Sequence, residues 1–162
     1  MKQTAIEDSI QARMRPGAVT REGLLGEDPR PLVDLLEEDA AAVRRLGVSH
    51  AAIAARMREL RRAGLAGLEE PVAVAPHFEV AVEGVRGRLP CPFGDGQVSK
   101  SNTRVTNLRL GRTISFSDLQ VHLIGRHGFY LGRGARYRVD PAELVAVLEV
   151  PPEPAPDPAA GG

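Results

Sequence analysis

The sequence predicts an α+β fold, because the spacing of its apolar residues changes from helix-like to strand-like near residue 77. In the N-terminal part, apolar residues recur three or four positions apart, as they do in amphipathic helices. From Phe78 onward they alternate with polar residues, as they do in a half-buried strand. We therefore expect a helical region over residues 1–76, packed on a small antiparallel α+β region over 77–150, and a disordered proline-rich tail over 151–162.

Three helices are expected in the N-terminal region. The first covers residues 3–15, the second runs from 31 to 46, and the third covers 50–63 with Ser49 as its N-cap. The segment 16–31 contains three prolines and three glycines, which indicates a loop between the first two helices.

The second region is expected to contain short strands and two helices. Turn residues and helix caps divide it, with Ser117 before one helix and Gly128 after it. Asp28 and Asp140 are candidate N-caps of other helices. In chain order the predicted elements are a strand at 78–82, a second strand within 86–92, a hairpin joining 103–110 to 113–116, a helix over 118–126 and a helix from 140 to 148.

The composition excludes several classes of protein. The 162 residues are 43% hydrophobic and 26% charged, which argues against a chain that is disordered throughout. No apolar run approaches the ~18 residues that a membrane span requires, and the N-terminus lacks the apolar segment of a signal peptide. The single cysteine excludes a disulfide framework within the chain and favours the reducing cytoplasm. The sequence does not indicate the oligomeric state.

Positive charge is concentrated in one part of the chain, although the formal net charge is +0. Residues 99–138 carry eight basic side chains and only one acidic side chain, Asp118. Within this stretch, HGFYLGRGARYR at 127–138 combines aromatic residues, glycines and arginines, a composition that suits binding to phosphates and stacking on bases. The alternative is that Phe129 and Tyr130 fasten a surface loop to the core and leave the arginines in solvent.

Residues 46–65, LGVSHAAIAARMRELRRAGL, resemble the turn and recognition helix of bacterial helix-turn-helix regulators, notably the leucine-responsive type. The resemblance rests on the Gly47-Val48-Ser49 turn, the core position Ile53 and the closing Gly64-Leu65. It implies DNA binding by Arg56, Arg58, Arg61 and Arg62 in a major groove. The preceding segment departs from the pattern because it is predicted to form one continuous helix, so an αα-hairpin with a solvated arginine face is the alternative.

A second group of residues could ligate a metal ion. His122 and His127 are separated by four residues near the end of a helix that follows a β-hairpin, and this spacing suits two imidazoles that converge on one zinc ion. Cys91 and Asp95 in the segment CPFGD would supply the remaining sulfur and oxygen ligands. The alternatives are a buried structural thiol and two ordinary histidines.

Evidence for enzyme activity is weak in the sequence. Cys91 and one histidine could form a nucleophile–base pair, but no local catalytic motif surrounds the cysteine. The glycines after residue 127 do not have the spacing of a phosphate-binding loop. We therefore assign no catalytic residue.

A wider resemblance involves RLPCPFGD and SFSDLQVHLIGRHGFYLGRGARYRVDP, together with REGLLGEDPR and LGVSH in the N-terminal region. These segments resemble a family of uncharacterised bacterial proteins over nearly the whole chain to about residue 150. The resemblance implies a shared architecture in bacteria and no particular activity.

We therefore expect a non-enzymatic binding protein that contacts a polyanion, DNA or RNA, in a regulatory role. The candidate contacts are eight arginines from two segments: Arg56, Arg58, Arg61, Arg62, Arg126, Arg133, Arg136 and Arg138. The competing class is a protein–protein adaptor with a structural zinc site, in which the loop residues Leu24 and Leu25 would matter more. A Cys/His-dependent enzyme is the third alternative.

Overall fold

The computed structural model describes residues 2–154, which form five α-helices and six β-strands. The fold class is α+β, as the sequence predicts. The helices are α1 (Ala5–Arg13), α2 (Leu32–Arg45), α3 (His50–Gly64), α4 (Asp118–His127) and α5 (Pro141–Leu148), and the strands are β1 (Val72–Val74), β2 (Phe78–Glu83), β3 (Arg88–Pro90), β4 (Gln97–Ser99), β5 (Asn102–Asn107) and β6 (Arg112–Ser117).

The main sheet has four antiparallel strands in the order β1-β2-β5-β6, and β3 and β4 form a separate two-stranded hairpin. One row of directly paired residues crosses the sheet through Val72, Val80, Val105 and Ile114. The last three of these side chains are buried, because this face of the sheet packs against helices. The alternating pattern read from Phe78–Glu83 therefore corresponds to a real inner and outer face.

Two hydrophobic clusters form the core, and α4 contributes to both of them. Its Val121 and Ile124 join the cluster beneath the sheet, together with buried residues of α3 and α5. Its Leu119 and Leu123 join a second cluster with α1, α2 and the β3–β4 hairpin. A helix packed on both sides is held firmly, so side chains at its C-terminal end are well positioned.

Local sequence signals explain where α3 and α4 begin and where α4 ends. The Ser49 side chain accepts a hydrogen bond from the amide of Ala52 at the start of α3, and the Ser117 side chain does the same for Gln120 in α4. Gly128 ends α4 in the left-handed conformation, with φ 64°, which glycine adopts without strain.

Other expectations were wrong. The strand β1 lies within residues 1–76, the region expected to be helical, and the short strand β4 was not expected. Neither Asp28 nor Asp140 makes a side-chain cap. Asp28 instead accepts hydrogen bonds from Arg30 and from the Arg133 amide, so its carboxylate ties the 16–31 loop to a distant segment.

At the C-terminal end of the described chain, Glu153 lies against the turn between α2 and α3. Its amide donates to the carbonyl oxygen of Gly47, and its carboxylate accepts a hydrogen bond from Ser49. The contacts of the chain thus continue into the segment predicted to be a disordered tail, whose residues 155–162 lie outside the described residues. Among the described residues, no helix combines the length and the apolar character needed to cross a bilayer.

Candidate metal centre

Cys91 and Asp95 are positioned by the tight turn that joins β3 to β4. The Cys91 amide donates to the carbonyl oxygen of Gly96 at 2.8 Å, and the Gly94 amide donates to the carbonyl oxygen of Cys91 at 2.9 Å. Gly94 and Gly96 have φ values of 86° and 131°, which other residues rarely adopt. The turn therefore folds back on itself and directs Cys91 and Asp95 to the same side.

His122 and His127 come from the last turns of α4. Their ring centroids are 5.5 Å apart, and both Nε2 atoms face the carboxylate of Asp95. The ring of Phe93 stacks on His127 with centroids 4.0 Å apart and planes inclined by 6°, which fixes the orientation of that imidazole.

The four side chains converge on one point. Each offers one ligand atom, and these atoms all lie within 4.8 Å of one another. His122 Nε2 donates to Asp95 Oδ1 at 3.0 Å, and His127 Nε2 donates to Asp95 Oδ2 at 2.9 Å. The Cys91 Sγ lies 3.6 Å from His127 Nε2.

One of these separations matches that of a tetrahedral zinc site. With usual zinc–ligand bond lengths, neighbouring ligand atoms are about 3.3–3.6 Å apart. The distance of 3.6 Å from Cys91 to His127 agrees with this spacing. The two contacts of Asp95 are shorter because its carboxylate accepts hydrogen bonds directly from the imidazoles.

The cluster shifts the ionisation of its members. Burial raises the pKa of the Cys91 thiol to about 11, and the carboxylate of Asp95 raises it as well. Hydrogen bonds from Cys91 and then from His122 hold the pKa of the Asp95 carboxyl well below its usual range. Burial lowers the pKa of His127, although Asp95 opposes this effect. At neutral pH the cluster therefore holds a protonated thiol, an ionised carboxylate and a largely neutral His127.

The same geometry bears on the enzyme alternative. Cys91 lies within reach of His127, as a nucleophile and its base would. A thiol with a pKa of about 11 is protonated at neutral pH, however, and the Nε2 of His127 is engaged by Asp95. Without a metal ion the arrangement does not generate the thiolate that nucleophilic catalysis requires.

Six of the eight candidate arginines are paired with carboxylates. Five of them have a carboxylate partner at 3.3 Å or less: Arg56 with Glu59, Arg61 with Asp118, Arg133 with Glu38, Arg136 with Glu22, and Arg138 with Asp39 and Asp140. The side chain of Arg126 is 69% exposed, and its Nε lies 4.0 Å from Asp95. Among the described residues, Arg58 and Arg62 form no ion pair.

One group of arginines does share a groove, between α3, α4 and the β3–β4 hairpin. Arg58 and Arg61 line it together with Arg88, which the sequence analysis did not single out, and His122 lies at its edge. Arg88 is isolated in sequence from the other two, so charge clustering along the chain could not have identified it. Asp118 also lines the groove, but its carboxylate is engaged by Arg61 and Ser99.

The aromatic and leucine residues singled out earlier lie in the core. Phe129 and Tyr130 are both 1% exposed, and Leu24 and Leu25 are both 6% exposed. The first pair fastens the 128–138 loop to the core, and the second pair fastens the 16–31 loop. Leu24 and Leu25 therefore offer only a small part of their surface to a protein partner.

Comparison with protein-family models, curated proteins and solved structures gives no match for this chain.

The raised pKa of Cys91 leads to a prediction about its reactivity in metal-free protein. Only the thiolate reacts with iodoacetamide, so the alkylation rate should rise about tenfold per pH unit from pH 7 to about pH 10 without levelling off. The rate is measured by mass spectrometry, with the unfolded chain as the control, which should level off near the ordinary thiol pKa of about 8.5. A plateau below pH 8 in the folded protein would show that the histidines stabilise a thiolate.

Proposed function

We propose that this protein binds one zinc ion through Cys91, Asp95, His122 and His127, and that the ion has a structural role. The observation that carries the proposal is the convergence of four ligand atoms, within 4.8 Å of one another, from the β3–β4 turn and α4.

The donor set favours zinc over other common metal ions. One sulfur, two imidazole nitrogens and one carboxylate oxygen match the ligands of tetrahedral zinc, whereas magnesium and calcium prefer oxygen ligands only. Imidazole and thiolate also bind copper and iron. Zinc, however, undergoes no redox chemistry, and in a structural site all of its ligands come from the protein.

The structural role follows from what the ion would connect. The β3–β4 hairpin is not part of the main sheet, and an isolated two-stranded hairpin is only marginally stable. Cys91 and Asp95 belong to the hairpin turn, whereas His122 and His127 belong to α4. An ion held by all four residues would tie the hairpin to the helix. Four protein ligands fill the tetrahedral coordination of zinc, so no position would remain open for a substrate.

Elemental analysis of protein purified without a histidine tag tests the metal content. We expect about one zinc per chain, and loss of most of it in Cys91→Ala and His122→Gln, because three ligands bind zinc much more weakly than four. His77→Gln is the matched control, since His77 lies outside the cluster, and it should retain the metal. Less than about 0.1 zinc per chain in the native protein after zinc reconstitution would contradict the proposal.

A strong chelator should lower the thermal stability of the same protein. Because zinc binding contributes to the free energy of folding, we expect the Tm to fall by about 10 °C or more on chelation and to recover when zinc is restored. Differential scanning calorimetry measures this change. Cys91→Ala should already have the lower Tm and should not respond to the chelator. An unchanged Tm after proven zinc removal would contradict the structural role.

Nucleic-acid binding is a second proposed function. The observation that favours it is the groove lined by Arg58, Arg61 and Arg88, whose guanidinium groups can pair with backbone phosphates. Arg61 is neutralised by Asp118, so Arg58 and Arg88 would carry most of the attraction.

Gel shifts with duplex and single-stranded nucleic acid over a range of salt concentrations test this function. We expect retention at low salt that decreases steeply as salt increases, and a salt slope lowered by about one unit in Arg58→Ala and in Arg88→Ala. Arg104→Ala is the control, because Arg104 is exposed on the outer face of the sheet. Absence of retention at low salt, or equal weakening by all three substitutions, would contradict it.

A further inference from the structure

A cleft of about 300 Å³ lies beside the β3–β4 hairpin. Its lining comes from residues 20–24, from Leu131 and residues 135–137, and from Val85, Leu89 and the end of β4. A cleft of this volume is at the lower end of the range for small-molecule sites. Nothing in the zinc or nucleic-acid proposals makes use of it.

The interior of the cleft is mainly apolar. Leu24, Leu119 and Leu131 form its floor and are themselves almost completely buried. Leu89 and Tyr137 line its sides. A surface of this kind favours the hydrocarbon part of a ligand, since water in contact with it gains few hydrogen bonds.

Positive charge surrounds the apolar interior. Lys100 lines the cleft and is half-buried, with its aliphatic stem beside Gly87, and it forms no ion pair with any residue in 2–154. Arg21 lines the cleft as well and likewise has no carboxylate partner within those residues. Arg136 pairs with Glu22 at 3.3 Å, so these two charges cancel. The lining therefore has an excess of positive charge.

The wall of the cleft is held by close backbone contacts. The Gly132 amide donates to the carbonyl oxygen of Leu24 at 2.9 Å, and the Glu27 amide donates to the carbonyl oxygen of Arg133 at 3.1 Å. At Gly132 a Cβ atom would lie 2.0 Å from the carbonyl oxygen of Leu25, so only glycine allows this approach. The cleft is thus a preformed feature, which reduces the entropic cost of binding a ligand.

We infer that this cleft binds a small amphipathic anion, with the apolar part against Leu24, Leu119 and Leu131 and an anionic head group, carboxylate or phosphate, beside Lys100. The apolar lining accounts for the hydrocarbon part, and the unpaired half-buried lysine accounts for the charge of the head group. The inference is independent of the zinc and nucleic-acid proposals, because none of the residues on which those proposals rest lines this cleft.

Titration of isotope-labelled protein with sodium octanoate, followed by amide chemical shifts, tests the inference. We expect saturable shifts in residues 20–24, 117–120 and 131–137, with a Kd of about 1 mM or below. Octanol and octylamine have the same chain without the anionic head group and should bind at least about fivefold more weakly. Octyl phosphate should bind as well as octanoate does if any anionic head group is accepted, and more weakly if the site selects a carboxylate.

Two variants identify the site. Lys100→Ala should weaken octanoate binding about five- to tenfold, whereas Lys2→Ala, which changes an exposed lysine distant in sequence, should have no effect. Leu89→Trp should fill the cleft and abolish binding while leaving the amide spectrum of the main sheet in place. Absence of saturable shifts up to about 10 mM octanoate would overturn the inference. Equal binding of octanoate, octanol and octylamine, unaffected by Lys100→Ala, would overturn it as well.

Discussion

The packing of α4 on both of its sides is the constraint on which the rest of the structure depends. One side completes the core beneath the main sheet through Val121 and Ile124, and the other completes the second core through Leu119 and Leu123. Because both sides are fixed, the helix can neither rotate nor slide without opening one core. His122 and His127 are thereby held in the position where they meet the turn of the β3–β4 hairpin.

The hairpin is the less constrained partner in this contact. It pairs with no strand of the main sheet, and it contributes Cys91 and Asp95 to the metal cluster and Leu89 to the apolar cleft. A link between its turn and α4 would therefore stabilise a part of the molecule that hydrogen bonds of the sheet do not reach. We assign the proposed zinc ion a structural role because it would supply this link between the hairpin turn and α4.

Long elements with regular periodicity could be predicted from the sequence, whereas short elements and long-range contacts could not. The apolar stripe Ile53, Met57 and Leu60 identified α3, and the alternation after Phe78 identified β2. Strands β1 and β4 have three residues each, too few to display a period. They form because neighbouring strands supply partners, and such partners are defined only by the tertiary structure.

The same distinction applies to the candidate sites. The four ligand residues could be proposed from their chemistry and spacing, but their convergence depends on a hairpin folding over a helix, and Cys91 and His127 are 36 positions apart in the sequence. The arginines were grouped by their proximity in sequence, which does not reveal partners such as Asp39, the buried carboxylate that binds Arg138. Lys100 lies in the basic stretch 99–138 but was not among the candidate contacts, because its half-buried position beside an apolar cleft is a tertiary feature.

Replacement of the proposed zinc by cobalt(II) tests the central claim most directly, because the absorption spectrum of cobalt reports both its geometry and its ligands. The account predicts intense visible bands from tetrahedral cobalt and a near-ultraviolet charge-transfer band from the Cys91 thiolate, at one cobalt per chain. Cys91→Ser should lose the charge-transfer band, and His77→Gln should keep it. Weak bands typical of six-coordinate cobalt, or a charge-transfer band that persists in Cys91→Ser, would contradict the account.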